Sequence, residues 1–401
     1  MNTSSLIRHT LIALRVSLTS LRRRWWGSLN AVIGSATVVG MLVVILSIGA
    51  GYSKALRLAS SSGNVLIMRA GARSEMESTL TAQQVTVILG APLIARTASG
   101  RPAAGGEVYA IANIGSRASG QPMNVAVRGV QASSLPLRAG LKLVQGRMFE
   151  PGHREIVVGR RALEQFRGLD LDARFEFAGA AWTVVGVFED GGGLVESEVW
   201  ADLNMVQAAY QRGNGVQLVI ARLLPGATPR ALEEAINRDA RLGVTVVTEK
   251  AYYEEQAGQM RRFVQTLGYG MAFLMGLGAV FAALNTGYAC VAARAKELAT
   301  LGALGSDERA LMASVVIESF MLALLGGAGG VLAAYMIFDG RVISTLFFSK
   351  DFSQVVFAFS VSGAVLAQGA IGASLIGTIG AIGPALHAWR LPLARVLADR
   401  R

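Results

Sequence analysis

Apolar residues are distributed along this chain in two ways. Four runs, Leu29–Gly51, Phe263–Ala293, Leu311–Phe338 and Val355–Pro384, are long and almost free of charge. Each has the roughly twenty residues a helix needs to cross about 30 Å of hydrocarbon. Between the first two runs, over about 210 residues from Tyr52 to Arg262, apolar positions come in short bursts that suit one or two small α/β units. NVLIMRA, EVYAIANIG, MNVAVRGV, REIVVG, ARFEF, AWTVVGVFE, VQLVIARL and GVTVVTE are rich in β-branched residues and alternate, which predicts strands. TAQQVTVIL, RALEQF, LNMVQAAY and TPRALEEAINRDA predict helices. The first has Thr81 and Gln84 as a capping box, and the last has Thr228 as cap with Pro229 at the first helical position.

Two further patterns flank the runs. In residues 5–24, Ile7, Leu11, Leu14, Leu18 and Leu21 form one helical stripe, with Arg8, Arg15 and Arg22 beside it. Such a helix lies in a membrane interface, and Trp25 and Trp26 then mark the boundary level. The second pattern is the charged link RAKELATLGALGSDER between the second and third runs. It is too short for a domain, and Leu298, Leu301 and Leu304 stand on it at helical spacing. Gly305 stops that helix, and Ser306 caps the next, with Asp307 and Glu308 in its first turn. The link is either a docking element for a soluble partner or an ordinary solvated loop.

Composition supports a polytopic membrane protein. Mean hydropathy is +0.44, and charged residues make up only 16% of the chain, both unusual for a soluble protein of this length. Basic residues cluster before the first run, in the link, and after the last run at Arg390, Arg395, Arg400 and Arg401. With four spans these places lie on one side, and the positive-inside rule makes that side cytoplasmic. Both termini are then inside and Tyr52–Arg262 faces outward. The net charge of +11 is in part this topology signal, and no aromatic-interleaved basic surface argues for nucleic acid. The first run is too long for a signal-peptide core and is expected to stay as an anchor. The single cysteine, Cys290, falls in the second run, which leaves the outer segment without disulfides.

The link and the start of the third run, RAKELATLGALGSDERALMASVVIESFMLALLGGAGG, resemble the FtsX-like permease domain of MacB-type ABC transporters. The family's Arg, Glu and Leu-x-x-Leu-Gly turn, then a helix with a Glu and a Gly-rich run, correspond to Arg294, Glu297, Leu301, Leu304, Gly305, Glu318, Gly326, Gly327 and Gly330. QGRMFEPGHREIVVGRRALEQFRGLDLDARFEFAGAAWTVVGVFEDGG resembles the core of the MacB-type periplasmic domain. There the matching positions include Gly146, Arg147, Phe149, Ile156, Val157, Gly159, Phe166, Gly168, Thr183, Val184, Gly186 and Val187. The resemblance covers nearly the whole chain, without the fused nucleotide-binding domain that MacB carries.

The fold class expected is therefore an α-helical membrane protein with four transmembrane helices plus an α/β extracytoplasmic domain of two lobes. One lobe is porter-like and the other is an inserted β-rich lobe near 131–215. In order, the expected parts are an interfacial helix (1–28), a first span (29–51), the periplasmic domain ending in a stalk helix (52–262) and a second span (263–293). A coupling helix (294–309), third span (310–338), short periplasmic loop (339–354), fourth span (355–384) and cytoplasmic tail (385–401) complete the chain.

Residues with expected roles are few. Small residues recur every fourth position at Gly268, Ala272, Gly276, at Gly326, Gly330, Ala334, and at Gly369, Ala373, Gly377, Ala381. That spacing lets helix backbones approach closely, within one subunit or between two. Glu318 is the one acid well inside a run, and either pairs structurally with an interfacial Arg or serves a proton or substrate. No phosphate-loop motif occurs, and GGAGG at 326–330 has no following Lys. His9, His153 and His387 are scattered, so no metal site and no catalytic triad are indicated. GGG at 191–193 is expected to be a flexible loop. The resemblance implies a permease subunit with no cofactor of its own, ATP and Mg being held by a separate ABC ATPase dimer. Arg294, Glu297, Leu298, Leu301, Gly302, Leu304 and Gly305 would form the coupling contact with that dimer. A second permease copy, a periplasmic adaptor and membrane lipid complete the implied partners, in the inner membrane. Amphiphilic export by mechanotransmission is the implied function, and signalling to a cell-wall hydrolase or antibiotic sensing is the alternative.

Overall fold

The computed structural model describes residues 25–59, 63–138, 140–239, 241–293, 295, 308–344 and 356–389. They fall into two compact units, one drawn from 1–50, 262–341 and 359–401, the other from 51–261 and 342–358.

Four long helices supply the first unit: α1 (Trp25–Ala59) through residue 50 and, in the second half of the chain, α6 (Glu249–Ala293) from residue 262, α7 (Glu308–Phe338) and α8 (Gly363–Trp389). All four are long and apolar enough to cross a membrane. α6 is one continuous 45-residue helix, or about 67 Å at the standard rise. Within this unit Val39, Leu42, Val43, Ala334, Val365 and Ala373 form a buried apolar cluster. The last helix begins later than its hydropathy predicts. Residues 356–358 form a strand, because the β-branched and aromatic run there pairs with Val342–Ser344 instead of coiling. α8 also continues through Pro384 to Trp389.

The second unit is built on one sheet. Its strands are β1 (Asn64–Arg69), β2 (Ala104–Gly115), β3 (Pro122–Val130), β4 (Lys142–Gly146), β5 (Glu155–Gly159), β6 (Arg174–Phe177), β7 (Ala180–Glu189), β8 (Glu198–Asp202), β9 (Leu218–Arg222) and β10 (Val244–Thr248). They run in the order β10-β1-β9-β2-β3-β8-β5-β7-β4, with β6 also on β7. Residues 131–215, expected as an inserted β-rich lobe, supply β4 to β8. The parallel β3–β8 pair, Ala126↔Glu198 through Val130↔Asp202, joins them to the other five strands in a single sheet. Short helices α2 (Ala82–Leu89), α3 (Arg160–Gln165), α4 (Leu203–Ala209) and α5 (Pro229–Ile236) connect the strands. The Thr81–Gln84 capping box is formed at α2, and Thr228 Oγ1 accepts from Ala231 N at α5. A small hairpin, β11 (Val342–Ser344) with β12 (Val356–Ala358), belongs to this unit too.

One large core binds these helices to the sheet, around Trp182, Phe166, Ile156, Val127, Val199 and Leu232. Trp182 is fully buried and stacks on Phe177 at 4.7 Å between ring centroids. A second, smaller cluster holds Val130, Phe149, Val157, Phe188, Val195 and Trp200.

Candidate functional site

The expected coupling residues Arg294, Glu297, Leu298, Leu301, Gly302, Leu304 and Gly305 lie outside the described residues, as do the interfacial helix at 5–24 and the arginines after Trp389. The described chain frames the link, with α6 ending at Ala293 and α7 beginning at Glu308.

Glu318 is 5% exposed and lines a cavity of about 270 Å³ among the four long helices. Ser35, Asn285, Thr286 and Ser319 share that lining. Ser35 is itself engaged, its Oγ donating to the Ala323 carbonyl at 2.7 Å.

The small residues divide. At Gly326 and Gly330 an added Cβ would run into the α1 backbone at Val32 and Ala36, so α7 and α1 approach closely there. Gly268 faces Ile45 of α1, Gly369 faces Val43 and Val331, and Gly377 faces Ala323 and Phe320. Gly276 is the exception. A Cβ there would meet nothing within 4 Å, because Gly276 lines an apolar groove with Val38, Leu42, Phe273 and Ile371 instead of touching a neighbour. Ala272 packs at the edge of the apolar cluster between these helices. One further contact of this kind is that of Gly287 with the Pro384 ring.

The sheet unit holds a second site that no motif announced, a buried network of charges on the central strands. Arg128 on β3 is 2% exposed and donates through Nε and Nη2 to both carboxylate oxygens of Glu198, at 2.8 and 2.9 Å. Its Nη1 reaches Glu75 Oε2 at 2.7 Å and Glu107 Oε2 at 3.0 Å. Arg138 continues the chain, with Nη2 on Glu107 Oε2 and Nη1 on Glu249 Oε1, each at 2.8 Å. Glu249 is fully buried and is the first residue of α6. Asn64, which opens β1, donates Nδ2 to Glu249 Oε2 at 3.2 Å and to the Leu137 carbonyl at 2.8 Å. Aromatic rings close the site. The Arg128 guanidinium lies 5.2 Å from the Tyr109 centroid and that of Arg138 lies 5.7 Å from Trp200.

Electrostatics follow from burial and pairing. Burial alone would raise the Glu107 carboxyl, but the Arg138 and Arg128 guanidiniums overcome it and hold the group below the ordinary value. Burial likewise works to lower Arg128, yet Glu198 and Glu75 keep it well above its usual range. Tyr253, one turn along α6 from Glu249, is pushed up by burial. Asp190 beside the network is raised to about 6, by burial first, with Arg138 opposing and Glu196, Glu249 and Glu198 adding to the rise. Gly191 and Gly192 adopt positive φ, and the amides of Asp190 and Gly192 both donate to Glu196 Oε1 at 2.7 Å.

This network could have been suspected from charges standing where strand alternation calls for buried residues: Glu107 in EVYAIA, Arg128 in NVAVRGV, Glu198 in SEVWA. Glu249 reads as the end of a strand in GVTVVTE. It begins α6 because Thr248 Oγ1 accepts from Ala251 N and caps a helix there.

Four helices long enough to span a membrane, with an α/β sheet unit inserted after the first, are consistent with a membrane permease that carries a periplasmic domain. The family described as MacB-like periplasmic core domain matches residues 28–239, more than half of the chain, and that described as FtsX-like permease C-terminal matches 269–393. The chain belongs to this MacB/FtsX-like ABC permease family. It is 22% identical over 239 residues to the macrolide export ATP-binding/permease protein MacB of Mannheimia succiniciproducens, covering 57% of this chain and 35% of that one. It is 24% identical over 227 residues to a probable export ATP-binding/permease protein of Pseudomonas fluorescens, covering 54% and 33%. The chain thus spans about a third of the length of the curated relatives it matches. Among solved structures, the periplasmic region of MacB from Actinobacillus actinomycetemcomitans is similar at 11% identity and a TM-score of 0.37, covering 48% of this chain and 92% of that one. The extracellular domain of the noncanonic ABC-type transporter YknZ from Gram-positive bacteria is similar at 13% identity and a TM-score of 0.36, covering 46% and 99%.

Proposed function

We propose that this chain is the membrane subunit of an ABC transporter, driven by a separate ATPase dimer docked on the link at 294–309. The observation that supports it best is the tiling of one chain by a periplasmic core match and a permease match over four apolar helices. In this reading the helices span the inner membrane, with both termini and the link cytoplasmic and the sheet unit periplasmic. ATP binding and hydrolysis on the partner move the link. α6 passes the movement to the outer unit, whose two halves, 131–215 and the remainder, share one sheet. Work is thereby done on an amphiphilic substrate outside the membrane, a lipid, lipoprotein, peptide or antibiotic, without passage between the helices. ATP and Mg reside on the ATPase, a second permease copy completes the assembly, and a periplasmic adaptor joins it in export.

The docking contact is tested by Leu301→Asp and Leu304→Asp. An unpaired carboxylate buried in the partner's groove costs several kcal/mol, enough to release it at ordinary concentrations. The expected result is a normal amount of permease in the membrane with co-purifying ATPase lost. Unchanged co-purification of an ATPase would remove the link from the docking role. Failure of any ATPase to co-purify with the unaltered chain would overturn the transporter reading.

A further inference from the structure

The root of α6 is held in an unusual way for a helix that follows a strand without a linker. β10 ends at Thr248, paired with Val65 of β1, and the very next residue, Glu249, starts a helix that runs unbroken to Ala293. Such a junction has only one residue's dihedral angles between strand and helix, and would bend if nothing else fixed it. Here the first turn is fixed from three sides. Glu249 Oε1 accepts from Arg138, and Oε2 accepts from Asn64 of β1. Tyr252, one turn on, accepts at its hydroxyl from the Glu75 amide at 3.3 Å, and Glu75 is itself bonded to Arg128. From Glu249 the ion pairs form a connected path through Arg138, Glu107 and Arg128 to Glu198. That path crosses β2, β3 and β8, the strands on which the two halves of the sheet meet.

The choice of charges, where hydrocarbon would serve stability as well, is informative. A buried ion pair replaced whole by apolar residues often loses nothing in stability, while one broken by removing a single partner is strongly disfavoured. It resists being pulled apart and fixes a direction, which a greasy contact does not. Four carboxylates (Glu75, Glu107, Glu198, Glu249) share two guanidiniums here. Both guanidiniums bridge acids from different elements.

We propose that the Glu249–Arg138 pair is a latch that makes the first turn of α6 one rigid body with the centre of the sheet, so that movement of α6 is delivered to β2, β3 and β8 rather than lost by bending at Thr248–Glu249. It rests on the reading that α6 transmits motion, but it is tested on this chain alone, without ATPase or nucleotide. A failure here leaves the docking test intact, and a failure of docking leaves this measurement interpretable.

The test uses the full chain in lipid nanodiscs with Cys290→Ala and spin labels at the exposed positions Glu254→Cys on α6 and Asn113→Cys on β2. Pulsed EPR should give one narrow distance distribution. Glu249→Gln keeps the shape and removes the charge, and Arg138→Lys keeps the charge and removes one of the two bridges. Each should at least double the width of that distribution. Hydrogen exchange should rise about tenfold at Tyr252–Gln256 in both variants, with β9 unchanged. Distributions that stay narrow would overturn the latch. So would an equal rise in exchange throughout the sheet, since that would make the pair a contributor to general stability only. Arg138→Lys decides the matter if Glu249→Gln does not fold.

Discussion

Strands β2, β3 and β8 send Val108, Val127 and Val199 to one face of the sheet and Glu107, Arg128 and Glu198 to the other. Both faces are closed to water, the first by apolar packing alone and the second by a smaller apolar cluster around Trp200 and Phe188 together with paired ions. On the first, apolar side chains from the sheet and from α2 to α5 pack around Trp182 and Phe166, and their burial is non-directional and additive in area. On the second, every charge depends on named partners at 2.7–3.0 Å, and even so Glu107 Oε1 and Arg138 Nε find no partner among the described residues. Hydrocarbon holds the sheet together, whereas the ions determine which elements are tied to which. The difference is that between stability and position.

The largest effect should come from breaking the ionic face on one side only. Arg128→Met leaves Glu75 and Glu198 buried without their cation, and should destabilise the chain by about 3–5 kcal/mol in a denaturant melt. Adding Glu75→Gln, Glu107→Gln and Glu198→Gln to it should restore part of the loss. A quadruple variant no more stable than Arg128→Met would mean that the charges themselves stabilise the fold.

Trp182→Ala is the matching change on the apolar face, at about 3–5 kcal/mol. It should leave the exchange of Tyr252–Gln256 unaltered relative to the rest of the sheet, because no ion pair is touched. A selective loosening of the α6 root in this variant would erase the distinction between the faces.

A smaller effect separates two acids in the ionic region. The Asp190 carboxyl is raised to about 6 in the fold from 3.8. The folded state therefore holds the proton more tightly, and this group lowers stability progressively as pH rises from about 4 through 6. Glu107 is depressed, so its contribution is present above the ordinary carboxylate range and is lost as pH falls through its lowered value. Asp190→Asn should flatten the decline between pH 4 and 7 and raise the melting temperature at pH 7 relative to the unaltered chain. The gain is modest because Asp190 is only partly buried. An unchanged pH profile would place Asp190 outside the field of the network.

The smallest effect is expected at the rim of the apolar face. Thr81→Ala removes the capping box of α2 and should cost about 1 kcal/mol. Melting of the variant checks it, and an effect as large as that of Trp182→Ala would mean that α2 anchors the core instead of lying on it.

How much of this was legible in the sequence varies by element. The caps at Thr81 and Thr228, and strands such as β1, β3 and β9, follow from local pattern because each is written in adjacent residues. β8, at the centre of the sheet, was not legible. Its five residues, EVWAD, are buried on both faces and carry two acids, so neither alternation nor hydrophobicity marks them. β12 was hidden for a different reason, since VFA lies within a run apolar enough to be read as helix, and only its partner Val342–Ser344 makes it a strand. Of the glycines spaced for helix packing, spacing alone did not separate Gly330, pressed on Ala36, from Gly276, where an added Cβ would meet nothing.

By itself, the sequence determined the four apolar helices, the α/β character of the segment between the first two, and the family motifs around Gly146–Val187 and Arg294–Gly330. Each of these is carried by composition or by residues close in the chain. Only the tertiary structure decided that residues 131–215 complete one sheet with the rest, and that Glu75, Glu107, Arg128, Arg138, Glu198 and Glu249 form one site. These six span 175 positions from first to last, about half of them on strands whose neighbours are set by long-range pairing. A lone charge within a strand pattern is ambiguous until its partners are known, because burying it is prohibitive without them and ordinary with them. Which of the two holds is a property of the fold.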